Sequence, residues 1–247
     1  MRGLLEAVSL LTRVPVRSRG DLKSALPWLP VVGGVIGAAV AGTYAVSLLR
    51  LPELASAALA VGGGILTTGA LHEDGFADTA DAFGAGVDRE RTFEILKDPR
   101  LGTYGVVAVV LSILLRVAAV ASLNPWAAFA GLTAAHALSR TSGLVMMMLA
   151  PALPSSTLGA SYATALTPRA FAVAVAVTAA ISVGTLGPWA LVAAAIGTGV
   201  TACVARRSTS RIGGITGDLL GTAEQLTQIG VFLLVAAIPD QVPWWKP

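Results

Sequence analysis

The sequence predicts an all-α membrane protein: a polytopic transmembrane helical bundle of about seven spans with an N-terminal amphipathic helix. Only 13% of the residues are charged, whereas soluble domains carry about 25%. The mean hydropathy is +0.75. The apolar residues form long blocks separated by short charged segments, the pattern of a multi-pass membrane protein. No composition shift marks a second domain, so we expect residues 1–247 to form a single integral membrane domain.

The first 23 residues are predicted to lie on the membrane surface. Their apolar run, Gly3 to Thr12, is interrupted by Glu6 and followed by several arginines and a proline. A signal peptide needs an uninterrupted apolar core and a small-residue cleavage site. We therefore interpret this segment as an amphipathic helix on the cytoplasmic face.

Seven apolar segments follow that can cross the membrane. Their approximate bounds are 27–49, 54–71, 103–123, 126–150, 170–187, 189–205 and 222–238. The first contains Gly33, Gly34 and Gly37, small residues that allow close contact between membrane helices. Three polar segments separate the spans: an acidic loop or half-embedded helix at 72–102, a loop at 151–168 and a Gly-rich loop at 206–221.

The distribution of basic residues predicts the orientation of the bundle. With the N-terminus in the cytoplasm, 13 of the 17 Lys and Arg residues fall on the cytoplasmic side. Arg50 and Lys246 fall outside, while Arg116 and Arg140 lie within spans. This bias follows the positive-inside rule, and it brings the three polar segments to the cytoplasmic face. It also explains the net charge of +3 without nucleic acid as a partner.

The acidic residues are concentrated after the second span. Eight of the 14 lie between Glu73 and Asp98. In a helix, Asp74, Asp78 and Asp81 would share one face, where their charges repel one another. Carboxylates with only oxygen donors nearby favour Mg²⁺ or Mn²⁺, and Mg²⁺ usually bridges a few carboxylates to substrate phosphates. The alternative is a solvated acidic helix face, which leaves the position directly after an apolar span unexplained.

The single Cys203 excludes an intramolecular disulfide and a cysteine zinc site.

Two further motifs contain groups suited to phosphate. The segment from Asp98 to Gly105 includes Arg100 and precedes a span, so it is either an anion-binding turn or a helix start with charges at the interface. The segment from Arg211 to Gly221 is rich in glycine and contains Thr216 and Asp218. Its glycines permit close backbone approach to phosphate, and the alternative is a flexible interhelical loop. A Walker-type lysine is missing, so it is not a P-loop.

Two arginines within spans need partners or a function. A charged residue inside a membrane segment is costly and indicates a functional site by default. Arg140 either has such a role or extends its side chain to the interface. Arg116 is predicted to pair with a neighbouring acid.

Together the three motifs resemble the cobalamin synthase family, the adenosylcobinamide-GDP ribazoletransferases. The resemblance rests on His72 to Asp81, Asp98 to Gly105 and Gly214 to Gly221, which occur in the family's order. It covers nearly the whole chain, with apolar spans between the motifs. Glu73 departs from the pattern, in which an apolar residue commonly stands between the His and the Asp.

The resemblance implies a Mg²⁺-dependent transfer at the cytoplasmic (inner) membrane of a bacterium or archaeon, with the active site facing the cytoplasm. A hydroxyl of α-ribazole, or of its 5′-phosphate, would attack the phosphoryl group on adenosylcobinamide, and GMP would leave. The partners are these two substrates and the lipid bilayer; a homo-oligomer is left open.

The resemblance also implies roles for individual residues. Asp74, Asp78 and Asp81 would bind metal, and Glu73 would be a further ligand or orient the attacking hydroxyl. Arg100 would bind phosphate. Asp98, Thr216 and Asp218 would complete the set of residues around the nucleotide or the metal. Arg140 and Arg211 would contact the diphosphate.

Three other functions compete with this interpretation. A CDP-alcohol phosphotransferase also uses membrane Asp residues, but its Asp-Gly-x-x-Ala-Arg core is missing, since Asp78 follows Ala77. A transporter would place its charges in mid-membrane, often in broken helices. A purely structural protein would leave three polar motifs on one face unexplained.

Overall fold

The computed structural model describes residues 2–153 and 165–245, and these residues confirm the all-helical bundle. The only β-structure they contain is an isolated parallel bridge between Ala152 and Ile215. Most of the predicted loop at 151–168, and Lys246, lie outside the described residues.

The described helices follow the order of the predicted segments. They are α1 Arg2–Leu11, α2 Leu22–Ala25, α3 Leu29–Ser47, α4 Glu53–Thr68, α5 Leu71–Gly84, α6 Arg89–Leu96, α7 Thr103–Ala121, α8 Pro125–Leu149, α9 Pro168–Leu186, α10 Trp189–Ile212 and α11 Gly217–Ala237. Side chains that accept backbone N–H groups mark where several helices begin. At the N-terminus of α8, for example, the side chain of Asn124 accepts the N–H groups of Trp126 and Ala127, both at 3.0 Å. The predicted N-terminal helix is α1.

Five helical segments among the described residues are long and apolar enough to cross a membrane. They are Leu22–Ser47, α7, α9, α10 and α11; α4 and α5 together make a sixth if the bent pair is one span. The remaining predicted span, 126–150, corresponds to α8, which has 25 residues. Helix α8 is more polar because it lies at the centre of the bundle, where α3, α9, α10 and α11 contact it.

The small residues of α3 allow it to pack closely on α8, as predicted. A Cβ atom added at Gly37 would lie 2.2 Å from the carbonyl oxygen of Leu132, and one at Gly33 would lie 2.5 Å from that of His136. Side chains at these positions would force the helices apart. The same contact places the aliphatic part of Arg140 against α3.

Two predicted loops are largely helical in the structure. The acidic segment at 72–102 contains α5 and α6, which confirms the helical alternative for its first part; α5 turns by 90° from α4. The Gly-rich loop predicted at 206–221 is only four residues long, 213–216. The prediction was wrong in length because residues 206–212 contain no helix breaker and continue α10, which ends at Gly213 with φ of 85°.

Candidate functional site

Helix α5 presents two polar faces with different surroundings. Asp74 is exposed and Asp78 and Asp81 are half-buried on one face, as the helical spacing predicts. His72 and Glu73 point the other way and are buried in the bundle. The neighbours in sequence, Glu73 and Asp74, therefore belong to different environments.

The acidic face of α5 lies against the first turn of α11. A Cβ atom added at Gly75 would lie 2.8 Å from the Cα of Asp218, and the hydroxyl of Thr222 donates to the carbonyl of Gly75 at 3.3 Å. This backbone contact brings Asp218 beside the acidic face. The carboxylates of Asp74, Asp78 and Asp81 on α5 and of Asp218 on α11, from two distant motifs, therefore form one cluster, in which the negative charges repel one another.

The segment before Asp218 is held in place by several hydrogen bonds. The N–H of Ile215 donates to the carbonyl of Pro151 at 2.9 Å, and the N–H of Leu153 donates to the carbonyl of Ile215 at 3.1 Å. The hydroxyl of Thr216 donates to Asp218 at 3.2 Å. These contacts argue against a freely flexible interhelical loop.

Asp81 connects the acidic helix to the second motif. Its carboxylate accepts the N–H groups of Gly102 at 2.7 Å and Gly105 at 2.9 Å. These donors belong to the N-terminus of α7, where a negative charge is favoured by the helix dipole. The anion at the predicted anion-binding turn is therefore a carboxylate of the protein itself.

The other predicted groups of this region lie apart from the carboxylates. Arg100 binds Asp98 through two nitrogens, at 2.9 Å and 2.7 Å, and its side chain is 86% exposed. The hydrogen bond from Arg100 lowers the pKa of Asp98 to about 2. Arg211 donates to the carbonyl of Val87 at 3.3 Å, which ties the end of α10 to the turn before α6.

Two buried ion pairs lie behind the acidic face. Glu73 pairs with Arg116 at 3.0 Å, so Arg116 has the acidic partner that was predicted. Glu224 accepts a hydrogen bond from Arg140 and lies 2.9 Å from Nε2 of His72. Arg140 is only 3% exposed, so its side chain does not extend to the interface.

Glu224 was not among the predicted site residues. Its sequence signal was an acid within an apolar span, which is costly unless the charge is paired. The partner could not be identified from the sequence, because Arg140 lies 84 positions earlier on another helix.

A cavity brings the carboxylates and the second ion pair together. It lies between α1, α5, α8 and α11, and its walls include Asp74, Asp218, Arg140 and Glu224. A smaller polar chamber lies deeper in the bundle, between Arg116, His136 and Gln228. His72, Arg140 and Glu224 line both spaces and separate them.

Asp74, Asp78 and Asp218 are the residues whose carboxylate oxygens could hold Mg²⁺ in this region. No three acidic or histidine side chains in the described part of the chain stand close enough to form a complete metal cage. The available donors are oxygens, and Mg²⁺ usually binds one or two carboxylates while keeping waters and substrate phosphates as its other ligands. The mutual repulsion at Asp78 also favours a cation at this position.

Comparison with known proteins gives consistent matches over almost the whole chain. A family model described as cobalamin-5-phosphate synthase matches residues 3–237. An adenosylcobinamide-GDP ribazoletransferase of Bradyrhizobium diazoefficiens is 42% identical over 240 residues, covering 94% of this chain and 92% of the relative. Enzymes of the same name from Azorhizobium caulinodans and Chlorobium phaeovibrioides are 39% and 35% identical, covering 92% and 94% of this chain and 92% and 96% of the relatives. No solved structure matches the chain.

Proposed function

The chain belongs to the cobalamin-5-phosphate synthase family, and on this premise we propose that it joins adenosylcobinamide-GDP to α-ribazole or its 5′-phosphate. The oxygen of the ribazole hydroxyl forms a bond to the phosphorus attached to adenosylcobinamide. The bond from that phosphorus to the GMP oxygen breaks, GMP leaves, and the hydroxyl proton is released. The observation that carries this proposal is the cavity whose lining includes Asp74, Asp218 and Arg140, from three distant segments.

Phosphoryl transfer of this kind depends mainly on positioning and charge neutralisation. Asp74, Asp78 and Asp218 would hold Mg²⁺, which when bound neutralises charge on the phosphates. Thr216 fixes the orientation of Asp218 through its hydroxyl. Asp81 holds α5 against the start of α7, and its own contact with metal stays a prediction.

Arg140 supplies the positive charge in the wall of the cavity. Its Nε is buried and has no hydrogen-bond partner among the described residues, while another of its nitrogens is bound by Glu224. Glu224 therefore holds Arg140 in position in the wall of the cavity, and we expect its guanidinium to donate to an incoming diphosphate. A charged donor in a partly dry cavity binds phosphate more strongly than one in water.

The remaining predicted residues have different places in this proposal. Glu73 serves as the counter-ion of Arg116, because its side chain points away from Asp74, Asp78 and Asp218. Asp98 and Arg100 stand two to four residues from Gly102 and would contact the nucleotide if it extends beyond the cavity. Arg211 would support the site through the turn at Val87.

The site is proposed to face the cytoplasm of the cell that makes the protein. The support is the excess of basic residues on the side where the three motifs meet. The described contacts bring those motifs to one end of the bundle: Asp81 reaches α7, and Gly75 reaches the start of α11.

The test is release of GMP by purified protein in nanodiscs, with adenosylcobinamide-GDP, α-ribazole or its 5′-phosphate, and a titration of Mg²⁺. We expect GMP release to require both substrates and the metal. Asp78→Asn should abolish the transfer without changing membrane insertion. Asp240→Asn is the matched control, because Asp240 is exposed in the turn after α11, away from Asp74, Asp78 and Asp218.

Near-normal turnover of Asp78→Asn would contradict the assignment of the carboxylates. Activity with CDP-diacylglycerol in place of adenosylcobinamide-GDP would overturn the choice of substrate.

A further inference from the structure

An apolar groove lies between α1, α3 and α4, outside the candidate active site. Its walls are aliphatic and small side chains with three threonines: Leu4, Val8, Thr12, Val14, Val31, Val32, Val35, Ile36, Ala39, Val40, Thr43, Gly63, Gly64 and Thr67. The hydroxyls of Thr12, Thr43 and Thr67 donate to carbonyls of their own helices, at 2.8 to 3.0 Å. The groove therefore offers an apolar surface to its occupant.

The length of the groove corresponds to one leaflet of a bilayer. Its lining on α3 runs from Val31 to Thr43, which is about 18 Å at the rise of an α-helix. One leaflet contributes about 15 Å to the hydrocarbon core. The groove begins beside α1 and runs along α3 toward Thr43, which is the direction in which α3 enters the membrane in the predicted orientation.

A cation stands at the mouth of the groove. Arg13 lies between Thr12 and Val14, which both line it, and its N–H donates to the carbonyl of Thr67 at 2.8 Å. The Arg13 side chain is exposed and passes over Gly69 at the end of α4. No acidic side chain in the described part of the chain forms an ion pair with it.

The acid of α1 is already engaged elsewhere. The carboxylate of Glu6 accepts hydrogen bonds from the N–H groups of Arg19 at 2.9 Å and Gly20 at 3.1 Å, and from the hydroxyl of Ser18. Arg13 therefore keeps its positive charge available for a ligand. Arg17, four residues further along, is also exposed.

From this arrangement we propose that the groove binds an anionic phospholipid, with one acyl chain between α3 and α4 and the phosphate on Arg13. Burial of its apolar carbons holds the acyl chain in the groove. The positive charges of Arg13 and Arg17 select a negative headgroup. Helix α1 separates this site from the active-site cavity: Leu4 and Val8 face the lipid, while Leu10 and Leu11 line the cavity. The lipid would thus support one wall of the active site.

The test measures lipid retention by native mass spectrometry of protein purified in detergent and exposed to phosphatidylglycerol or phosphatidylcholine. We expect retained phosphatidylglycerol, one molecule per chain, in the wild type. Val35→Trp should abolish retention, because Val35 lines the groove and is 64% exposed. Val46→Trp is the matched control, since Val46 is 68% exposed on the same helix but does not line the groove.

Arg13→Gln tests the headgroup contact separately. It should weaken retention of phosphatidylglycerol about fivefold and leave phosphatidylcholine unchanged, the effect of one basic residue at an anionic surface. Equal retention in Val35→Trp and Val46→Trp would overturn the site, and so would equal retention of the two lipids by the wild type. Displacement of the lipid by the corrinoid substrate, or a dimer that Val35→Trp disrupts, would assign the groove to another occupant.

Discussion

At the scale of single residues, α5 assigns adjacent acids to different roles. The shared face of Asp74, Asp78 and Asp81 follows from helical spacing, so the sequence was enough to predict it. The partners of His72 and Glu73 could not be predicted, because Glu224 and Arg116 come from α11 and α7 and meet α5 only through packing. Local register is encoded in the sequence, whereas long-range pairing depends on the arrangement of the helices.

The pairing of Glu224 with Arg140 gives a prediction at this scale. Glu224→Gln removes the charge that holds Arg140 and His72, so we expect kcat/KM for adenosylcobinamide-GDP to fall about tenfold, the value of one charged hydrogen bond. Most of the loss should be in KM, since Arg140 contacts the diphosphate in our proposal. Steady-state measurements of GMP release at saturating Mg²⁺ provide both constants.

Glu224→Asp serves as the conservative variant and should restore part of the activity, because it keeps the negative charge. A lowered melting temperature with unchanged KM in Glu224→Gln would show that the pair only stabilises the bundle.

At the scale of helices, the site depends on two close contacts of α5. Its end is fixed by the Asp81 carboxylate on the N-terminus of α7, and its start lies against α11 at Gly75. The sequence identified all three motifs, but it left open whether the second is an anion-binding turn or a helix start with charges at the interface. In the structure the carboxylate of Asp81 binds the backbone N–H groups of this turn, because α5 and α7 pack side by side.

The contact between α5 and α11 gives a prediction for a glycine. Gly75→Ala would place a methyl group 2.8 Å from the backbone of Asp218, a distance that forces the helices apart. We expect a loss of transfer of about a hundredfold, since small misplacement of reacting groups has effects of this size. The concentration of Mg²⁺ that gives half-maximal activity should also rise.

Gly62→Ala on α4, outside both the cavity and the apolar groove, is the matched control for this substitution. A Cβ atom there meets nothing within 4 Å, and alanine favours a helix more than glycine does. It should therefore keep full activity. Equal activity of the two variants would mean that the spacing of α5 and α11 does not set the geometry of the site.

At the scale of the whole molecule, the bundle encloses a polar interior within an apolar exterior. Helix α8 is the clearest case, because it is surrounded by other helices and carries His136 and Arg140. In α7 and α10, by contrast, most residues are exposed or half-buried. Hydropathy and length were enough to predict the long apolar helices and their order. They could not predict that α4 and α5 meet at 90°, because that bend depends on two left-handed residues, Gly69 and Ala70.

The orientation of the bundle gives a prediction that involves every span. The charge bias requires the acidic segment to face the cytoplasm and Arg50, between α3 and α4, to face the other side. Starting from Cys203→Ala, which leaves no cysteine, single cysteines at Lys97 and Arg50 can be labelled with a membrane-impermeant maleimide. In inverted membrane vesicles Lys97→Cys should react and Arg50→Cys should not, and intact spheroplasts should give the opposite result. Labelling of both positions from one side would mean that the chain crosses the membrane an even number of times between Arg50 and Lys97, which would contradict this orientation. Labelling of both in intact spheroplasts would in addition place the acidic face away from the cytoplasmic pool of nucleotide substrate.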